Sequence, residues 1–210
     1  MKPLKRTFLI AVTGGIASGK SIVCKWFEDK GFTVHYADKI AHSILEKDQI
    51  IELIAAEFGE FLLVKGMIDR KKLGDLVFHN KKKLHILNKL IHPVVKDEIQ
   101  KLIDSSREDL LIFEIPLLFE NNLEKAFDFI INVFSDKKVQ VERLVKLRSI
   151  NERKAQKIIN SQMPGETKIN SADLTIFNND KMEEIIDQLM AFEMKMLNLP
   201  HKEISRISDL

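Results

Sequence analysis

The sequence predicts a three-layer α/β fold built on a five-stranded, mainly parallel sheet. Three observations carry this expectation. Five short apolar runs, at residues 8–12, 32–36, 110–114, 129–134 and 173–177, are rich in Val, Ile and Phe. They lack strict alternation, as expected of strands covered on both faces. Helical patterns separate them, which makes parallel pairing the natural connection. A Gly-rich loop joins the first run to the first helical pattern.

That loop reads Gly14-Gly15-Ile16-Ala17-Ser18-Gly19-Lys20-Ser21 and fits G-x-x-x-x-G-K-[ST] between a strand and a helix. Its chemistry follows from the residue types. Glycines let successive backbone N–H groups curl around phosphate oxygens, and the following helix points its positive end at them. Lys20 is a mobile charge for the β and γ phosphates, and the Ser21 hydroxyl is placed for Mg²⁺. A chance Gly-rich turn before a lysine is the bland alternative, and the flanking strand and helix argue against it. Cys24 lies on the core-facing side of the same helix and reads as a small buried filler rather than a nucleophile. As the single cysteine it makes no intrachain disulfide, which fits a reducing compartment.

After the second run, about seventy residues read almost entirely as helix, too many for one crossover connection. They predict a helical insertion over residues 37–109. Within it Val94, Val95, Ile99, Leu102 and Ile103 share one helix face, with Pro93 expected in the first turn. A second helical excursion, residues 136–165, carries Lys137, Lys138, Arg143, Lys146, Arg148, Arg153, Lys154 and Lys157. The last helix places Met182, Ile185, Ile186, Leu189, Met190 and Leu197 on one face. Residues 201–210 read as a polar, frayed tail. The expected organisation is a nucleotide-binding core (1–36, 110–135 and 166–210), a helical acceptor domain (37–109) and a lid (136–165).

Composition narrows the function. With 210 residues, 45% hydrophobic and 30% charged, the chain suits one well-cored domain with an inserted piece. A net charge of +2 gives no argument for nucleic acid, and Lys71-Lys72 and Lys81-Lys82-Lys83 read as solvated faces. The amino-terminal Met1-Lys2-Pro3-Leu4-Lys5-Arg6 followed by five apolar residues imitates a signal peptide, but the apolar run is too short for one. Nothing approaches the ~18 apolar residues of a membrane span, so a soluble cytoplasmic protein is expected.

The loop predicts phosphate binding and leaves the reaction open. Guanine recognition needs Asn-Lys-x-Asp, and the nearest string, Asn178-Asn179-Asp180-Lys181, does not match. Glu114 ends an apolar strand, as an acidic Mg²⁺-orienting residue does in motor ATPases and in small kinases alike. A helical insertion that offers an acceptor pocket and a basic lid that excludes water favour phosphoryl transfer to a small molecule. Kinases of other small nucleotides and a nucleotide-binding regulatory module are the competing readings.

Several short strings together resemble the dephospho-CoA kinase family. They are Thr13 with the loop through Ser21, Tyr36-Ala37-Asp38-Lys39-Ile40-Ala41-His42, and Gly66, Ile68, Asp69-Arg70, Leu73 and Val77-Phe78. Further on come Ile91-His92-Pro93, Ile115-Pro116-Leu117-Leu118-Phe119-Glu120, Gln162-Met163-Pro164, Ala172-Asp173 and Asn178. The resemblance implies a P-loop kinase fold with a helical acceptor-binding insertion and a helical lid. It also implies transfer of the ATP γ-phosphoryl group to the ribose 3′-hydroxyl of dephospho-CoA, the final step of coenzyme A biosynthesis, with Mg²⁺.

By the same resemblance Asp38 accepts or orients the hydroxyl proton, Lys20 and Arg143 act on the transferring phosphate, and Glu114 orients Mg²⁺ through water. Gly14, Gly15, Ala17, Ser18, Gly19, Lys20, Ser21, Ile22, Arg148 and Asn178 bind ATP, Asn178 at the adenine. Asp38, His42, Arg70, His92 and Pro116 line the acceptor site. Plainer roles stand beside these: a helix cap for Asp38, a packed helix start for His92, a pairing with the helix end at Asp69 for Arg70, and a turn residue for Asn178. The implied partners are ATP and dephospho-CoA, with no nucleic acid or membrane, in a monomer or small homo-oligomer. The chain departs from the family pattern at Ala17 (usually Gly), Ile22 (usually a hydroxyl residue), Tyr36 and Glu114 (usually Asp) and His42 (usually Arg). Ala17 is acceptable only if its φ is negative, and the lid arginines stand one residue further apart than in relatives.

Overall fold

Phe8–Gly14 forms β1, and all seven residues are buried. A computed structural model of the chain describes residues 6–78, 80–179, 182–196 and 198–210. Met1 to Lys5, Asp180 and Lys181 of the Asn178 string, and Leu197 of the last helix, lie outside the described residues. The main sheet consists of β1, β2 (Val34–Tyr36), β5 (Leu110–Glu114), β6 (Phe129–Phe134) and β7 (Leu174–Phe177). Its order is β2-β5-β1-β6-β7, with every pairing parallel. Helices α1 (Lys20–Asp29) and α9 (Met182–Met196) contribute to the core against this sheet. Ile10, Val12, Ile112, Ile131, Val133 and Ile176 from the strands meet Val23 and Phe27 of α1 and Ile185, Leu189 and Phe192 of α9. Each large side chain buried here contributes about 1.5–3 kcal/mol. Cys24 is fully buried among them. Burial first, and the Glu114 charge second, push its thiol up to about 12, so it stays protonated and inert.

The chain divides into two compact units, Met1–Tyr36 with Ser106–Leu210, and Ala37–Ser105. The first unit resumes at Ser106 rather than at residue 110. Thr7 Oγ1 donates to the Glu108 carbonyl at 2.9 Å, and Phe8 N donates to Asp109 O at 2.8 Å. These bonds tie the approach to β5 onto the sheet.

The second unit holds α2 (Ala37–Ile44), α3 (Asp48–Phe58), α4 (Arg70–Phe78) and α5 (Lys81–Ser105). Ile44, Ile51, Ile54, Leu62, Ile68, Leu73, Leu87 and Ile91 form its own core. It is almost entirely helical, with one short strand pair besides. β3 (Leu63–Val64) and β4 (Met67–Ile68) make an antiparallel hairpin. Lys65 and Gly66 both have positive φ, at 52° and 79°, which suits the twist of a two-residue hairpin.

Pro93 does not begin a helix but lies inside the 25-residue α5. It supplies no N–H for the bond one turn back. Leu87 and Ile91 before it and Val94 and Val95 after it nevertheless pack in the same cluster, and that packing holds the helix continuous.

The carboxyl-terminal residues are not frayed. Lys202 N donates to Asp128 Oδ1 at 2.8 Å, and Ser205 N donates to Lys125 O at 2.9 Å. His201 meets Phe8 edge-on at 5.2 Å, and Ile207 is fully buried. Asp128 has a fully buried side chain, and Arg6 donates to both its oxygens at 2.6 Å. A buried carboxylate must be satisfied by donors, and the tail provides one of them.

Candidate active site

The loop between β1 and α1 approaches its support closely and leads straight into a helix start. A Cβ on Gly14 would lie 2.2 Å from Val133 O, and one on Gly19 would lie 1.9 Å from Asn178 Nδ2. Gly19, at φ 96°, opens α1 without a side-chain cap. First-turn N–H groups of a helix are the ones that bind anions. Lys20 Nζ curls back over the loop and donates to Gly14 O at 3.2 Å and Gly15 O at 3.1 Å. Ser21 is exposed on the first turn of α1, with Ile22 beside it.

Ala17 sits at φ 57°. This corrects the expectation that alanine stands here only with negative φ. The turn needs a left-handed residue, and this chain meets the need with an L-residue at a cost of about 1–2 kcal/mol.

The loop is braced from behind. Asn178, just past β7, donates from Nδ2 to Ser18 O at 2.7 Å. Arg143 of α6 (Lys137–Arg148) donates from Nη1 to Ala17 O at 3.2 Å and Ser135 Oγ at 2.9 Å. Its Nη2 donates to the backbone oxygen and to Oδ1 of Asn178 at 3.1 and 2.9 Å. Asn178 is buried at 2% exposure, and its side chain supports the loop. The guanidinium of Arg143 is turned onto loop carbonyls, and Arg148 is exposed in the last turn of α6.

Ile16 is gripped at both ends of its backbone. Gln140 Nε2 donates to Ile16 O at 2.8 Å, and Ile16 N donates to Gln162 Oε1 at 2.8 Å. A cavity of about 620 Å³ lies beside the loop, lined by Gly15, Ser135, Lys137, Gln140, Gln162 and Lys168 among others. Sequence reasoning assigned nothing to Ser135 or Gln140. The available signal was that Gln140 stands three residues before Arg143, on one helix face.

Glu114 ends β5, registered opposite Val12 of β1 and Tyr36 of β2. Tyr36 donates its hydroxyl to Glu28 at 2.8 Å. Burial first, then Glu28, push its phenol above the usual range, so it remains neutral. Pro116, two residues past β5, accepts from Thr13 Oγ1 at 3.3 Å through its carbonyl. Among the described residues no group of three or more His, Cys, Asp or Glu gathers as a metal cage. Mg²⁺ held by a hydroxyl and substrate phosphates needs no such cage, and Ser21 and Glu114 fit that use.

In the second unit Asp38 is in the first turn of α2 and His42 in its last, four residues apart on one face. Arg70 donates to His42 O at 3.3 Å and pairs with Glu46 at 2.6 Å. The end of α4 is capped instead by Asp69, whose Oδ1 accepts from Lys71 N and Lys72 N. His92 lies within α5, not at a helix start, half-buried. Burial, with the Lys96 charge, lowers its pKa, which favours the neutral ring.

A family model for dephospho-CoA kinase matches residues 8–184. A dephospho-CoA kinase of Fusobacterium nucleatum is 45% identical over 185 residues, covering 88% of this chain and 96% of that protein. One from Listeria innocua is 34% identical over 195 residues, covering 90% and 97%. The solved dephospho-CoA kinase from Campylobacter jejuni superposes with a TM-score of 0.68 at 28% identity, covering 90% of this chain and 96% of that one.

Proposed function

The chain belongs to the dephospho-CoA kinase family, and we infer that it transfers the γ-phosphoryl group of ATP to the ribose 3′-hydroxyl of dephospho-CoA, giving CoA and ADP. The observation that carries the reading is the family match over residues 8–184, which spans the phosphate loop, Asp38 and the helical insertion.

In this mechanism the backbone N–H groups of residues 14–19 and the first turn of α1 take the ATP phosphates. Lys20 swings from the carbonyls of Gly14 and Gly15 to the β and γ oxygens. Asp38 accepts the proton of the ribose hydroxyl as its oxygen bonds to phosphorus. Its place two residues past the end of β2 supports this role, because ligands of parallel sheets bind beyond the strand carboxyl ends. Mg²⁺, held by Ser21 and, through water, by Glu114, would neutralise phosphate charge.

Residues 37–109 form the acceptor domain, and Asp38, His42, Arg70, His92 and Pro116 bind dephospho-CoA. Residues 136–165 act as the lid, with Arg143 acting on the transferring phosphate and Arg148 binding ATP beside it. The enzyme works in the cytoplasm as a monomer or small homo-oligomer. The buried single thiol of Cys24 supports a reducing compartment, and no helix among the described residues is long and apolar enough to cross a membrane.

The test is to incubate the pure protein with ATP, Mg²⁺ and dephospho-CoA and to look for CoA. ADP formation no faster than without acceptor sinks the assignment.

A further inference from the structure

Gln162 holds the Ile16 N–H from a short link between α7 (Glu152–Asn160) and α8 (Gly165–Ser171). A side chain on such a link fixes the loop only as well as the link itself is fixed. The next residue supplies the anchor: Met163 N donates to Glu120 Oε1 at 3.0 Å. That same oxygen lies 2.7 Å from Lys168 Nζ of α8, with the lysine side chain at 1% exposure and the glutamate at 20%. A buried lysine is costly to keep. An ion pair of this kind adds little net stability over apolar residues of similar size. Its value here lies in orientation: one carboxylate oxygen accepts from the link and lies against the ammonium of the helix that follows it.

We propose that Glu120 and Lys168 are positioning residues that set the phosphate loop for nucleotide binding, acting through Met163 and Gln162 on Ile16. They touch no reacting atom. Lys168 fixes Glu120, Glu120 fixes the link, and Gln162 on the link holds the loop peptide against Gln140 on its other side. The proposal deepens the kinase reading and rests on it for the reaction, though its nucleotide-binding part stands without the acceptor.

The experiment compares the native chain, Gln162→Ala, the paired variant Glu120→Leu/Lys168→Met, and all three changes together. The paired variant removes both charges at once, so neither is left buried alone. Measured are the ATP dissociation constant by titration, the melting temperature, and KM and kcat for CoA formation. ATP binding is expected to weaken about 5- to 10-fold in the paired variant, the scale of one hydrogen bond, with melting close to native. Gln162→Ala weakens it similarly, and the triple variant no further, because both changes cut one chain of contacts. Native ATP affinity in the paired variant, or effects that multiply in the triple, overturns the proposal. Should the paired variant not fold, Glu120→Gln reads the same question, and native ATP affinity in it overturns the ionic anchor. Absence of CoA formation by the native chain would instead remove the kinase reading, leaving the ATP titrations to judge the anchor.

Discussion

Arg143 and Asn178 meet through a forked contact in which one guanidinium nitrogen reaches both the backbone and side-chain oxygens of the asparagine, at 3.1 and 2.9 Å. Asn178 in turn holds Ser18 O, so the two residues hold the Ala17 and Ser18 carbonyls between them. Asn178→Ala is expected to cost about 1–3 kcal/mol of stability by leaving buried groups unpaired. It should weaken ATP and GTP binding by the same factor. Competition titrations with both nucleotides check this; loss confined to ATP would return Asn178 to the adenine.

Ala17→Gly is expected to stabilise the protein. The left-handed backbone costs an L-residue about 1–2 kcal/mol, while glycine forfeits about 0.5–1 kcal/mol through its freer unfolded chain. The difference, up to about 1.5 kcal/mol, corresponds to a melting temperature higher by up to about 6 °C, read by calorimetry, with turnover kept.

Asp38→Asn is expected to lower kcat by about 10²–10⁴, the usual worth of an acid–base group, with ATP affinity unchanged. Steady-state CoA formation and ATP titration together decide it. A native kcat would remove Asp38 from the chemistry.

Acid sensitivity is expected from Asp128. Burial alone would raise its carboxyl, but Arg6 and the N–H groups of Leu9 and Lys202 outweigh it and hold the carboxyl below its ordinary value. A carboxylate depressed in the folded state contributes fully above its unfolded pKa, about 3.9. That contribution is lost as pH falls through the folded value. Urea midpoints followed below about pH 4 should therefore drop less steeply in Asp128→Asn than in the native chain. At neutral pH the variant is expected to be weaker by about 1–3 kcal/mol, because removing one partner strands a charge while the exposure of Arg6 screens the pair.

The sheet was legible because buried parallel strands announce themselves as short Val-, Ile- and Phe-rich runs, and residues 110–114 and 129–134 coincide with β5 and β6. The loop was legible because phosphate binding restricts residue type at fixed spacing. Pro93 misled because packing on both sides of it overrides a local start signal. The hairpin at Lys65-Gly66 was missed because strands of two residues leave no periodicity to read. Gln140, Ser135 and the Glu120–Lys168 pair stayed hidden since their partners lie up to 124 residues away in sequence. Asn178 was noticed, but its bond to the Ser18 carbonyl was not foreseen, since a polar side chain after a strand looks the same whether it faces a base or a backbone carbonyl.

The insertion leaves the sheet after β2 and re-enters at β5, and those two strands are direct neighbours. Joining them means closing a loop of about 70 residues, an entropic cost that rises by only ~0.6 kcal/mol with each doubling of length but must be met before the pairing rewards it. Collapse of the insertion around its own apolar cluster shortens the effective loop. In refolding, β2 should therefore join the sheet late, after the insertion has formed, while β1, β5 and β6 assemble without waiting for it.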